Sequence, residues 1–232
     1  MCGRYVSPEI AEAERNFLVH LIRWRDYQRS YNVAPTQWVP AVRLVDGQRE
    51  GVLLRWGLVP FFAKGIPTKF STINATIEKL TDGAMWRGPW KRAQRCILPA
   101  AGFYEWHVLA DSSKRPYYIT CIDQPVFGFA GLWDTSMAEN GTETISCTII
   151  TMPPNALMAQ IHNAKQRMPA ILAAEDIESW LSGSQSEARG ALKPYGADLM
   201  LAQPVSTRVN SPHNNDATLI ASIPEAASSA TV

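Results

Sequence analysis

The sequence predicts an α+β fold: a single domain with a curved, mainly antiparallel, barrel-like β core flanked by short helices. Three observations lead there. The strand-like runs are short and mostly joined by hairpin-length connections. Helical patterns are inserted among them rather than alternating strand by strand, which argues against a doubly wound parallel sheet. The 232 residues hold no internal repeat and no Gly/Ser linker, and are enough for one large core. The domain is expected over residues 1–222, and the small, polar stretch 223–232 reads as a disordered tail.

In chain order, Ser7-Pro8-Glu9 ahead of Ile10, Ala11, Ala13 and Phe17 reads as a capped helix, with Ser7 as N-cap and Pro8 in the first turn. Trp38–Val45 is a strand, Asp46-Gly47 a hairpin turn and Gly51–Val59 the returning strand. Further strands are expected at Arg95–Leu98, Gly102–Val108, Tyr117–Ile122, Val126–Leu132, Thr144–Thr151 and Leu199–Val205. Helices are expected at Pro154–Ile161, Ala174–Leu181 and Ser186–Leu192.

Composition is that of an ordinary globular protein, 46% hydrophobic and 19% charged. A net charge of +1 excludes a strongly basic, tail-driven nucleic-acid binder but not a local basic groove. Cys2, Cys96, Cys121 and Cys147 form no CxxC pair and no zinc spacing, so no metal and no cofactor are expected, and the thiols read as reduced. No secretory signal is evident, and no run approaches the roughly 20 apolar residues of a membrane span. A cytoplasmic, monomeric protein is expected.

Four places carry reactive side chains. If Met1 is removed, Cys2 presents an α-amine and a thiol on adjacent carbons; the amine can condense with an aldehyde and the thiol can close a thiazolidine ring. Otherwise Cys2 is an ordinary cysteine. Asn74, in Phe70-Ser71-Thr72-Ile73-Asn74-Ala75, is either a turn residue or a polar group in a site. Glu105 lies between Phe103, Tyr104 and Trp106, where desolvation would suit it to proton transfer; the alternative is the solvent face of an alternating strand. His162 follows an apolar helix and is either structural or a proton carrier. Two basic clusters either meet phosphate or are solvated faces: Trp86 to Arg95, whose interleaved Trp86 and Trp90 are either stacking residues or core, and Arg23, Arg25 and Arg29.

Several ordered segments together resemble one family, the SRAP proteins, abasic-site processing proteins first named as SOS-response-associated peptidases. They are Met1-Cys2-Gly3-Arg4-Tyr5, Tyr31 to Thr36, Arg55-Trp56-Gly57-Leu58-Val59-Pro60, Ile73-Asn74-Ala75 with Glu78, and Arg95 to Ala100. Gly102-Phe103-Tyr104-Glu105-Trp106, Thr151, Ile161-His162, Arg167 to Leu172 and Pro204-Val205-Ser206 complete the set. The resemblance implies a protein of the DNA damage response that binds single-stranded DNA and forms a thiazolidine crosslink to abasic sites through Cys2. By that resemblance Asn74 orients the amine and the opened sugar, Glu105 is the general acid/base, and His162 assists proton transfer. It also implies a DNA surface including Arg4, Asn32, Pro35, Phe61, Phe62, Trp106, Thr151 and Arg167, nucleoid association on DNA, lyase activity and self-removal of Met1. The alternative is a cysteine-dependent (auto)peptidase of the thiol hydrolase type, using Cys2, His162 and Glu105.

Three departures from the family pattern stand out. Thr76 replaces a frequent Arg, with Lys69, Lys91 and Arg92 as candidate substitutes. Phe61-Phe62 stands where many members have paired tryptophans. Asn163-Ala164-Lys165-Gln166 lengthens the segment between His162 and Arg167.

Overall fold

The structure is a computed structural model that describes residues 2–68 and 71–224 of the chain. The expectations for Met1, for Lys69 and for positions 225–232 of the tail lie outside the described residues. The first half contains β1 (Arg4–Val6), α1 (Ile10–Asn16), β2 (Leu21–Ile22), β3 (Trp38–Val45), β4 (Gln48–Trp56), β5 (Asn74–Thr76), α2 (Arg87–Lys91), β6 (Arg95–Ala100) and β7 (Gly102–Val108). There follow β8 (Lys114–Cys121), β9 (Phe127–Met137), β10 (Glu143–Met152), α3 (Ala156–Ile161), β11 (Met168–Pro169), β12 (Ile171–Leu172), α4 (Ile177–Leu181), α5 (Gln185–Gly190) and β13 (Met200–Pro204). No helix among the described residues is long and apolar enough to cross a membrane.

The chain is α+β, with its β core closed as expected. β10 pairs with β4, β4 with β3, β3 with β6, β6 with β9, and β9 again with β10, which makes a five-stranded barrel. Closure satisfies strand edges that would otherwise be open for pairing. The short strands β2, β5, β11 and β12 extend its rim. A second sheet has the order β1-β7-β8-β13. Among the described residues the strand pairings are antiparallel except β2–β4, β4–β10 and β5–β10.

Two local features explain how this geometry is reached. Asp46 and Gly47, at φ 49° and 75°, are both left-handed, the backbone of a two-residue turn whose twist matches the strands it joins. Gly57, at φ 125°, bends the chain away after β4, and its N–H donates to Cys147 O at 2.9 Å. β4 thereby leaves the edge of β10 free further along, and β5 takes it, with Asn74 opposite Ile149 and Thr76 opposite Thr151.

β1 and β7 pair antiparallel, Arg4 with Tyr104 and Val6 with Gly102, and their side chains alternate between two apolar clusters. Tyr5 and Phe103 enter the barrel core, each with its ring centroid 5.8 Å from that of Phe129. Val6 and Tyr104 instead pack with Tyr118, Val205 and Val209. The segment after β13 folds back over the start of the chain: Asn32 Nδ2 donates to Ser211 O and Asn214 O at 2.9 and 2.8 Å. Ile223 N–H bonds Pro204 O at 2.9 Å, so residue 223, expected in the tail, is tied to the sheet.

Some expectations are corrected. Ser7 does not cap α1. Its hydroxyl accepts from Ser30 N at 2.8 Å and so ties two segments together, leaving Glu9 as the N-cap position. The Trp86–Arg95 cluster is not a stacking platform, because Trp86 and Trp90 are buried and Trp90 packs on Trp180. Apolar burial of two indoles on the one side of α2 outweighs the basic character of the segment. Arg23 and Arg29 are paired with Glu50 and Glu9.

Candidate active site

Cys2 lies just before β1 and is buried, and its carbonyl accepts a hydrogen bond from Asn74 Nδ2 at 2.8 Å. Asn74 is therefore not a turn residue; it opens β5 and is itself buried. Its Oδ1 is also buried and has no hydrogen-bond partner among the described residues. One side of the carboxamide thus holds residue 2, and the other presents a bare acceptor.

Glu105 shares the inward face of β7 with Phe103 and is 2% exposed, so the solvent-facing reading is excluded. Burial pushes its carboxyl up from 4.5 to about 7, against the opposing pull of the chain's terminal amine, Lys165 and a backbone hydrogen bond. Its Oε1 has no hydrogen-bond partner among the described residues. Its Oε2 lies 3.6 Å from His162 Nε2.

His162 ends α3, and the exposed residues 163–166 loop out before the chain returns at Arg167. The imidazole Nδ1 lies 2.8 Å from Arg167 O. A carbonyl only accepts, so Nδ1 carries the proton, and in the neutral ring the Nε2 lone pair faces Glu105. Burial lowers the His162 pKa, so both partners are pushed towards their neutral forms. A neutral acid facing a neutral base is an arrangement able to pass a proton back and forth.

Arg167 is anchored from outside. Its two terminal nitrogens meet Glu78 Oε1 and Oε2 at 2.8 and 3.0 Å, and Nη2 also donates to Thr151 O at 2.7 Å. Burial raises the Cys2 thiol well above its ordinary value, and the charge of Glu105 adds to the effect. The thiol is held as S–H, 3.9 Å from Arg4 O.

A cavity of about 360 Å³ opens over the Glu105–His162 pair, lined also by Trp106, Val108, Lys114, Ala164, Lys165 and Asn210. The four residues singled out for chemistry are thus linked, Asn74 to residue 2 and Glu105 to His162, with the Glu105 charge felt at Cys2. Among the described residues no group of three or more His, Cys, Asp or Glu could hold a metal.

The expected surface residues divide into two sets. Phe61 and Phe62 are exposed, their rings edge-to-face at 5.5 Å, beside a cavity of about 190 Å³ lined in part by Met85 and Arg87. Trp106 lines the cavity over Glu105 and His162, its Nε1 donating to Asn210 Oδ1 at 2.9 Å, and Pro35 is half-buried. Asn32 and Thr151 are buried instead. Asn32 Oδ1 accepts from Arg4 and its Nδ2 donates to carbonyls, while the Thr151 hydroxyl donates to Ala75 O. Arg4 Nη1 also donates to Val209 O at 2.9 Å. Of the candidates for the contact absent at Thr76, Arg92 is paired with Asp134 at 2.9 Å and stacks over Phe61. Lys114 and Asn210 were not anticipated: they come from a strand end and a 3-10 turn with no motif of their own.

Comparison with known proteins gives a consistent picture. The model of the family described as SOS response associated peptidase (SRAP) matches residues 1–212. The abasic site processing protein YoqW of Bacillus subtilis (strain 168) is 38% identical over 96% of this chain and 100% of its own length. The abasic site processing protein HMCES of Xenopus tropicalis is 31% identical over 86% of this chain and 69% of its own. A crystal structure of a protein from Bacteroides thetaiotaomicron superposes with a TM-score of 0.84 at 27% identity, covering 97% of this chain and 100% of that one.

Proposed function

Since the chain belongs to the SRAP family, we propose that it processes abasic sites, binding them in single-stranded DNA and forming a thiazolidine crosslink through Cys2 once Met1 is removed. The observation that carries this reading is the bond from Asn74 to the carbonyl of residue 2. It fixes the residue whose α-amine must attack, and it leaves Asn74 Oδ1 to accept from that amine. The buried acid–imidazole pair and its cavity supply the proton transfers and the room for a sugar.

The steps balance without oxidation or reduction. An abasic deoxyribose is closed as a hemiacetal. Glu105 in its acid form protonates the ring oxygen while the anomeric hydroxyl passes its proton back to the carboxylate, so the ring opens to an aldehyde and Glu105 is again in its acid form. The Cys2 amine adds to that carbon to give a carbinolamine. Its hydroxyl, protonated by Glu105, leaves as water, and an iminium remains. The thiol then adds to the same carbon, returning its proton to the carboxylate, and the thiazolidine is complete. A ring-closed adduct shields the site from the β-elimination that an open imine invites.

The thiol hydrolase reading is less well supported. A cysteine hydrolase needs an imidazole that activates the thiol. Here His162 Nε2 faces Glu105, and burial holds the Cys2 thiol protonated. In the proposed order the thiol acts last, on a strong electrophile, and needs no standing thiolate.

The test mixes the Met1-free protein with a single-stranded oligonucleotide bearing one abasic site, followed by a denaturing gel. A shifted band is expected for the wild type and none for Cys2→Ala. Asn74→Ala should slow adduct formation by about 10²-fold, the loss typical of a misplaced reacting group. An undiminished band with Cys2→Ala refutes the reading.

A further inference from the structure

We propose that Lys114 and Lys165 form a phosphate subsite at the mouth of the catalytic cavity, binding a backbone phosphate next to the abasic sugar. The inference rests on the abasic-site reading above. Both lysines line the cavity whose floor holds Glu105 and His162. They reach it from different elements, Lys114 from the start of β8 and Lys165 from the exposed loop between α3 and Arg167.

Charge accounting singles these two out among the cations around the site. The Arg4 guanidinium is occupied by Asn32 Oδ1, Val209 O and Asn210 O. The Arg167 guanidinium is occupied by Glu78 and Thr151 O. Among the described residues, the ion pairs nearest this region join Arg167 to Glu78 and His162 to Glu105, and neither lysine takes part in one. Among the described residues the only carboxylate lining the cavity is Glu105, buried and pushed towards its neutral form. Among the described residues no ion pair takes up either ammonium group, while Trp106 offers an apolar wall beside them. Two exposed ammonium groups over an open cavity mouth suit a phosphate, which they meet as point charges.

The subsite has a consequence for the chemistry. The positive charge of Lys165 reaches both members of the catalytic pair and opposes protonation of each. A phosphate drawn onto Lys165 cancels that field, so the acid form of Glu105 is favoured when substrate occupies the cavity. DNA binding and the readiness of the acid are thereby coupled.

The test compares wild type with the double variant Lys114→Ala/Lys165→Ala, following adduct formation against protein concentration and salt. The oligonucleotides carry a phosphodiester or a neutral methylphosphonate immediately 5′ or 3′ of the abasic site. The variant is expected to need about tenfold more protein for half-maximal adduct at low salt, with the salt slope reduced by about 0.7 for one single-strand phosphate. A methylphosphonate on one side should cost the wild type the same and the variant nothing more. Lys114→Arg/Lys165→Arg should restore both slope and affinity. An unchanged slope and half-maximal concentration in the alanine variant, or losses that add with methylphosphonates on either side, overturns the subsite while leaving crosslinking intact. A wild type that forms no adduct with any of these oligonucleotides overturns instead the reading on which it rests.

Discussion

Replacing Glu105 by Gln should slow adduct formation while stabilising the protein at neutral and alkaline pH. Glu105 is almost wholly buried, and its carboxyl is raised from 4.5 to about 7 by desolvation. At its ordinary value roughly 0.3% of molecules would hold the acid form at pH 7, whereas a value near 7 keeps roughly half of them there. Below 4.5 the folded and unfolded chains both carry the proton, and Glu105 has no effect on stability. As pH rises through the interval up to about 7, the unfolded chain releases the proton that the folded chain retains, so stability falls. Above that interval the folded state bears the full cost of a buried carboxylate, on the order of 3 kcal/mol at roughly 1.4 kcal/mol per pH unit. Gln cannot ionise, and its amide can donate to the Nε2 lone pair of His162 where Oε2 now lies at 3.6 Å. Urea denaturation at pH 5 and pH 8 should therefore show the variant gaining on the wild type by that order between the two. Adduct formation at pH 7 should fall by about 10² to 10⁴, the range for loss of a general acid. Equal pH dependence of stability in the two proteins, or an unaltered rate of adduct formation, would refute the assignment of a buried, proton-holding Glu105.

Two further predictions concern the surroundings of the pair. Glu78→Ala leaves the Arg167 guanidinium held by Thr151 O alone, which loosens the carbonyl that fixes the proton on His162 Nδ1. An imidazole free to present Nε2–H stabilises the Glu105 carboxylate, so the alkaline limb of the pH–rate profile should move down by about one unit; an unmoved limb, or ¹⁵N shifts that still report Nδ1–H, would count against this anchoring role. Phe61→Ala/Phe62→Ala should weaken non-covalent binding of single-stranded DNA by roughly 1 to 3 kcal/mol for each stacked base, read by fluorescence anisotropy. Because both rings are about half exposed, thermal stability should change little, and unaltered affinity would remove them from the DNA surface.

Elements built on local patterns were legible in the sequence. The strand Trp38–Val45 with its Asp46-Gly47 turn and the strand Gly102–Val108 fall where they were expected, since pleat alternation and a left-handed turn operate within a few residues, while the returning strand, expected at Gly51–Val59, runs over Gln48–Trp56. Elements made by pairing alone were not. β5, β11 and β12 are two or three residues long and exist only because β9 and β10 offer them an edge. Asn74 was for that reason readable as a turn residue, and no strand was expected there. Ser7 was misread, and the tryptophans of α2 were left open between platform and core, for the same cause: each has local chemistry suited to a cap or a platform, and each is claimed by distant partners.

The sequence by itself determined the α+β class, the unusual chemical capacity of residue 2 and, through resemblance, the family and four candidate residues. Only the tertiary structure decided that Glu105 faces inward, that His162 presents a lone pair to it, and that Asn74 grips the carbonyl of residue 2. It alone decided that Arg4 and Arg167 are occupied and that Lys114 and Lys165, in no ion pair among the described residues, meet at one cavity. The physical reason is distance along the chain. Propensity and turn chemistry act across a few residues, but desolvation, tautomer choice and charge pairing depend on groups that the closed barrel brings together from positions 2, 74, 105 and 162.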